Sequence, residues 1–71
     1  MTQQEKIDAL ADIFEVDSSE LAPETALDTL PWDSMAMLSV IAIVNEHFGK
    51  RIPGNQIKNF KTIGDILAVM A

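Results

Sequence analysis

The stretch DSMAMLSVIAIVNEHFG, residues 33–49, decides how the rest of the chain is read. Asp33 and Ser34 open it, an almost unbroken apolar run carries it to Val44, and Gly49 closes it. An acid–serine pair ahead of such a run is a helix start, and a glycine after it accepts the left-handed turn at a helix end. The spacing therefore predicts a helix that begins at Asp33 or Ser34 and ends at about Phe48. With ~100° of rotation per residue, Met37, Val40, Ile41, Val44 and Phe48 share one face, the core face. Met35, Ser39, Ala42, Asn45 and Glu46 share the opposite one. That face is unusual for a solvent face: it carries one charge, two small residues and a methionine at its leading edge.

Working outward, TQQEKIDALADIF at residues 2–14 begins with Thr2 and has Glu5 three positions on, a capping-box pattern, with Ile7, Leu10, Ile13 and Phe14 at helical spacing. A first helix is expected from about Thr2 to Phe14. Residues 15–33 then read as a long connection rich in Asp, Ser, Thr and Pro, with scattered leucines as plugs. Loops above ~12–15 residues are uncommon in compact domains unless they carry function, so either a short helical turn hides near Ser18 to Leu21 or the loop itself matters. Pro53-Gly54 marks a turn into a short helical segment with Ile57 and Phe60. Thr62 with Asp65 repeats the capping pattern and opens a last helix carrying Ile63, Ile66, Leu67 and Met70. The fold class is all-α: a small four-helix bundle of three main helices and one short one, in a single domain over residues 1–71.

Composition narrows the function. A chain of 71 residues buries only ~60% of the surface it exposes when unfolded, so the core is small. There is no cysteine, which excludes disulfides, thiolate catalysis and cysteine-type zinc sites. The polar, acidic N-terminus lacks the pattern of a signal peptide, and no apolar stretch approaches the ~20 residues of a membrane span, so a cytoplasmic protein is expected. The net charge of −6 repels nucleic acid phosphates. It is also uneven: residues 1–48 hold ten of the eleven acids and only Lys6 as a base, whereas residues 49–71 hold four bases and Asp65.

Ser34 is the residue to explain. As a nucleophile it needs a base, and the only histidine, His47, lies thirteen residues away, ~20 Å along a shared helix. A triad is excluded, and no Gly-rich phosphate loop or metal-spaced histidine pair is present. In the plainest reading Asp33 is a helix N-cap and Ser34 an ordinary first-turn residue. A third reading makes the Ser34 hydroxyl an acceptor modified by another enzyme. A helix N-terminus suits that role, because its unpaired N–H groups and positive dipole end tolerate a phosphodiester. Asp33 beside it either caps the helix or holds a metal ion.

DSM opening an apolar helix, the long acidic loop before it, FGKRIP at 48–53 after it and the closing TIGDI at 62–66 together resemble the acyl carrier protein family over nearly the whole chain. The resemblance implies a four-helix carrier with no catalysis of its own. A phosphopantetheinyl transferase would move 4′-phosphopantetheine from coenzyme A to Ser34, with Asp33 as the adjacent motif residue. The terminal thiol would then carry acyl groups as thioesters between acyl ligases, ketosynthases or similar enzymes of fatty acid, polyketide or other specialised acyl biosynthesis. It also implies a monomer, and a soft interior lined by Met37, Met70 and the aliphatic set into which cargo can retreat.

Two departures give this chain its own character. Carriers of bacterial fatty acid synthesis resemble one another in an acidic second helix, whereas the matching face here has only Glu46 as a charge, and Lys50, Arg51, Lys58 and Lys61 follow it. A specialised carrier is expected, with partners meeting Met35, Ser39, Ala42, Asn45 and Glu46 through apolar contact more than electrostatic steering. Trp32 stands where a small residue is expected, either as a plug that closes the loop over the core or as a contact for acyl groups and partner enzymes. Two rivals remain at this level: a D-alanyl or other aminoacyl carrier, and an unmodified helical interaction module that docks through the second helix.

Overall fold

A computed structural model describes residues 1–71. Four helices follow one another: α1 at Gln3–Phe14, α2 at Ser34–Phe48, α3 at Gly54–Ile57 and α4 at Ile63–Val69. The all-α reading holds. Thr2 caps α1 from outside the helix: its hydroxyl accepts from the Glu5 N–H at 3.1 Å, and the Glu5 carboxylate accepts from the Thr2 N–H at 2.8 Å. Thr62 and Asp65 build the same reciprocal cap on α4. α2 ends at Gly49, whose φ of 64° is the left-handed conformation foreseen for a glycine there.

The connection from Glu15 to Asp33 is shorter in effect than its length suggests, because two 3-10 turns fold it, at Ser18–Glu20 and Leu27–Thr29. The first lies where a hidden turn was expected; the second has no clear local signal. Three backbone hydrogen bonds then fasten the loop to the start of α4. Leu27 N–H donates to Lys61 O (2.8 Å), Ile63 N–H to Thr25 O (3.0 Å) and Gly64 N–H to Pro23 O (2.8 Å). The approach at Gly64 is so close that a Cβ there would stand 3.0 Å from the Pro23 carbonyl oxygen. With these bonds made, Leu21 and Leu27 drop into the core as plugs.

That core draws one or more residues from every helix: Leu10 and Phe14 from α1, Val40 and Val44 from α2, Ile57 from α3, Ile63 and Ile66 from α4, with Met70 just beyond its end. Full burial of each such side chain contributes about 1.5–3 kcal/mol, offset by ordering entropy. The face of α2 that enters the core is rotated slightly from the expected one. Its centre is the i, i+4 row Ala36, Val40 and Val44, while Met37, Ile41 and Phe48 are half-buried flanks. The small Ala36 allows this, since a helix row with a methyl at its first position can approach its neighbours closely. Phe48 sits under the Lys6 ammonium, 5.7 Å from the ring centre.

The two glycines give a paired prediction for urea denaturation. Nothing lies within 4 Å of a Cβ at Gly49, so Gly49→Ala should cost about 1–2 kcal/mol purely through its positive φ. Gly64→Ala has an ordinary φ and should destabilise by forcing the loop off α4. A second prediction concerns acid. The Glu5 carboxylate is held below its ordinary value of 4.5 by hydrogen bonds from Thr2, and Asp65 below 3.8 by the Lys61 and Thr62 N–H groups. Both folded values are depressed, so this stabilisation is present above about pH 4.5 and is lost as pH falls through the lowered values. Asp65→Asn should flatten the loss of stability with falling pH in that window.

Candidate functional site

Ser34 is the first residue of α2 and is exposed. The chain reaches it in extended conformation through Asp33, whose carboxylate oxygen accepts from the Ala36 N–H at 3.0 Å. Asp33 is thus the N-cap, and of its two readings the structure supports capping; no cluster of three or more candidate ligands for a metal is present. The Asp33 carbonyl takes the Met37 N–H at 2.9 Å. The amides of Ser34 and Met35 remain without partners in the chain, as does the Ser34 hydroxyl. Two free N–H groups and the positive end of a fifteen-residue helix therefore surround a free hydroxyl, an arrangement that accommodates an anionic ester. His47 is exposed in the last turn of α2, at the far end from Ser34.

The residues expected on the partner face, Met35, Ser39, Ala42, Asn45 and Glu46, are all exposed along α2. Met35 is 77% exposed, and it is joined by Leu38 at 64%. Leu38 was missed in the sequence although it lies three residues from Met35, a spacing that places the two on one stripe. The Ser39 hydroxyl turns back to donate to the Met35 carbonyl at 3.0 Å, so its polarity is spent within the helix. The face is accordingly more apolar than its letters suggest.

Trp32 lines the larger of two open clefts, and its chain neighbours Pro31 and Asp33 line the other. Its ring packs on Phe14, centroids 6.0 Å apart and planes tilted by 48°, and it is half-buried against the core. The plug reading is correct to that extent. The smaller cleft, of about 260 Å³ between the end of α1 and the start of α2, is lined by residues including Phe14, Asp33 and Met35. The larger cleft, of about 590 Å³, lies between the loop and the approach to α4, with Leu27, Leu30, Trp32 and Phe60 as its apolar walls.

Comparison with known proteins matches residues 7–70 to the family described as phosphopantetheine attachment site. The chain is 34% identical to an acyl carrier protein of Acidothermus cellulolyticus, with 100% of this chain and 90% of the relative aligned. It is 37% identical to one of Renibacterium salmoninarum, covering 100% and 95%. A meromycolate extension acyl carrier protein of Mycolicibacterium smegmatis is 33% identical, covering 94% and 73%. No solved structure matches the chain.

The cap and the exposed face should separate cleanly in denaturation experiments. Asp33→Ala removes the N-cap acceptor and should cost about 0.5–2 kcal/mol, while Asp33→Asn should recover most of it. Met35→Ala and Leu38→Ala, on the exposed stripe, should stay within about 0.5 kcal/mol of the parent.

Proposed function

Because the chain belongs to the acyl carrier proteins, carriers with a 4′-phosphopantetheine prosthetic group and no catalysis of their own, we propose that Ser34 is the residue that holds the arm. The observation that carries this reading is the free, exposed hydroxyl at the amide end of α2. In the attachment step the Ser34 Oγ gains a bond to phosphorus, its proton passes to a base of the transferase, and the adenosine bisphosphate half of coenzyme A leaves. The chain's own contribution is to present the hydroxyl. Asp33 holds the first turn rigid, and the free amides of Ser34 and Met35 face the added negative charge. When bound, the arm supplies a thiol that carries acyl groups as thioesters.

The similarity to a meromycolate extension carrier and the nearly uncharged face of α2 support a specialised lipid or other acyl pathway. Its partners are a phosphopantetheinyl transferase and acyl-processing enzymes such as acyl ligases or ketosynthases. They meet Met35, Leu38 and Ala42 by apolar contact, with Asn45 and Glu46 at the rim. No helix is long and apolar enough to cross a membrane; the working form in this reading is a single-domain monomer in the cytoplasm, where coenzyme A is met.

Intact mass tests the attachment. Incubation with coenzyme A, magnesium and a broad-specificity phosphopantetheinyl transferase should add a single phosphopantetheine, and Ser34→Ala should add none. An unchanged mass on folded protein with several transferases would return Ser34 to the role of a first-turn residue and favour an interaction module. For the partners, Met35→Ala should weaken association with the cognate enzyme, by about 1 kcal/mol or more if Met35 is a buried anchor. Binding should vary little with salt. Strong salt dependence together with indifference to Met35→Ala would sink the apolar-contact reading.

A further inference from the structure

With no cysteine in the chain, all of its sulfur lies in four methionines, and the fold treats them differently. Met70 is fully buried and Met37 is a half-buried flank of the core, whereas Met1 is 49% and Met35 77% exposed. Met35 is the more exposed of that pair, and unlike Met1 it stands at the functional site. It follows Ser34 directly, lines the smaller cleft and leads the apolar stripe that Leu38 continues.

A thioether at this position has a chemistry that leucine, an apolar residue of similar volume, lacks: peroxides convert it to a sulfoxide wherever they can reach the sulfur. A lone pair of the Met35 sulfur attacks one peroxide oxygen, the S–O bond forms as the O–O bond breaks, and a proton passes to the departing oxygen. Sulfur is oxidised by two electrons, while the peroxide is reduced to water or, for an alkyl peroxide, to water and the alcohol's equivalent share of that exchange, one oxygen staying on sulfur and the other leaving as the hydroxyl compound. Fold and function respond differently to the change. Met35 is not packed into the core, and the free amides at the positive end of α2 favour an oxygen of partial negative charge, so the helix survives. The outer face does not survive as an apolar surface, because burying a strongly polar S–O group against an apolar partner leaves an acceptor unpaired. Its neighbours on the stripe cannot offset this: the Ser39 hydroxyl is committed to the Met35 carbonyl, and Leu38 has no side-chain donor.

Resting on the reading that partners meet α2 through apolar contact, we propose that Met35 is a site of reversible oxidation by peroxides, and that its sulfoxide blocks docking while leaving the fold and the Ser34 hydroxyl in place. The return step belongs to a methionine sulfoxide reductase, which takes two electrons from a pair of thiols, leaves them as a disulfide and releases the sulfoxide oxygen as water. Met35 is then a redox gate on the delivery of this carrier to its enzymes.

The test treats the protein with limiting hydrogen peroxide, removes the excess with catalase and locates the added oxygen by peptide mass mapping. Met35 should be oxidised about tenfold faster than Met37 or Met70, with thermal unfolding unchanged. Docking is read from kcat/KM for phosphopantetheine transfer from coenzyme A by a broad-specificity transferase with magnesium. Oxidation should lower it by about tenfold, chiefly through KM, and a methionine sulfoxide reductase with dithiothreitol should restore it. Met35→Leu, compared with itself before and after peroxide, should show no such loss. Oxidation of Met37 or Met70 ahead of Met35 would overturn the inference, as would a loss that Met35→Leu shares, since it would trace to another methionine. An oxidised Met35 without effect, where Met35→Ala does lower kcat/KM, would overturn the inference alone. If Met35→Ala is equally without effect, the apolar-contact reading falls and the redox gate with it.

Discussion

Three backbone hydrogen bonds between the long loop and the start of α4 organise the molecule. Without the bonds from Leu27, Ile63 and Gly64, residues 15–33 would be an unanchored connection whose ordering entropy nothing offsets. With them, the loop becomes a structural element. Leu21 and Leu27 are committed to the core, the Pro31-Trp32-Asp33 segment is delivered to α2 in extended conformation, and one wall of the larger cleft is set opposite Phe60. The glycine at position 64 follows from the same constraint, because the pairing brings the Pro23 carbonyl within 3.0 Å of where a Cβ would stand.

The site at α2 inherits its geometry from that delivery. Asp33 can cap Ala36 only because its backbone is extended where the loop meets the helix, and the cap leaves the first two amides free beside the Ser34 hydroxyl. The division of labour is economical in charge. One carboxylate steadies the helix start, and the remaining donors face outward, where an anionic substituent is favoured by the helix dipole. A carrier needs this kind of site, one that presents a residue to other proteins' chemistry without supplying an acid or base of its own.

In the proposed reading, recognition by partners rests on α2's outer stripe. Met35 and Leu38 project into solvent, Glu46 is the one charge on the face of α2 that Met35 leads, and Ser39 is internally satisfied. Long-range steering has few handles on such a surface, so discrimination falls to shape and apolar contact at short range.

Much of this was legible in the letters. The caps of α1, α2 and α4 and the glycine stop at residue 49 rest on interactions within a few residues, so Thr2–Glu5, Asp33, Gly49 and Thr62–Asp65 could be read directly. Ser34 stood out for the same reason, as the polar residue at the head of an apolar helix, and the order of motifs around it resembled a known family. The tertiary structure decided what depends on residues far apart in sequence. The second 3-10 turn at Leu27–Thr29 is anchored by the bond from the Leu27 N–H to the Lys61 carbonyl, thirty-four residues away. Of the expected core face of α2, Val40 and Val44 are fully buried while Met37, Ile41 and Phe48 are flanks and Ala36 joins the row, because the approach of the other helices, and not periodicity, selects which flank is covered. Trp32 could be placed beside the motif from sequence. Its contact with Phe14 and its place in the wall of the larger cleft required the loop to be folded back on α4, a long-range pairing that no local pattern encodes.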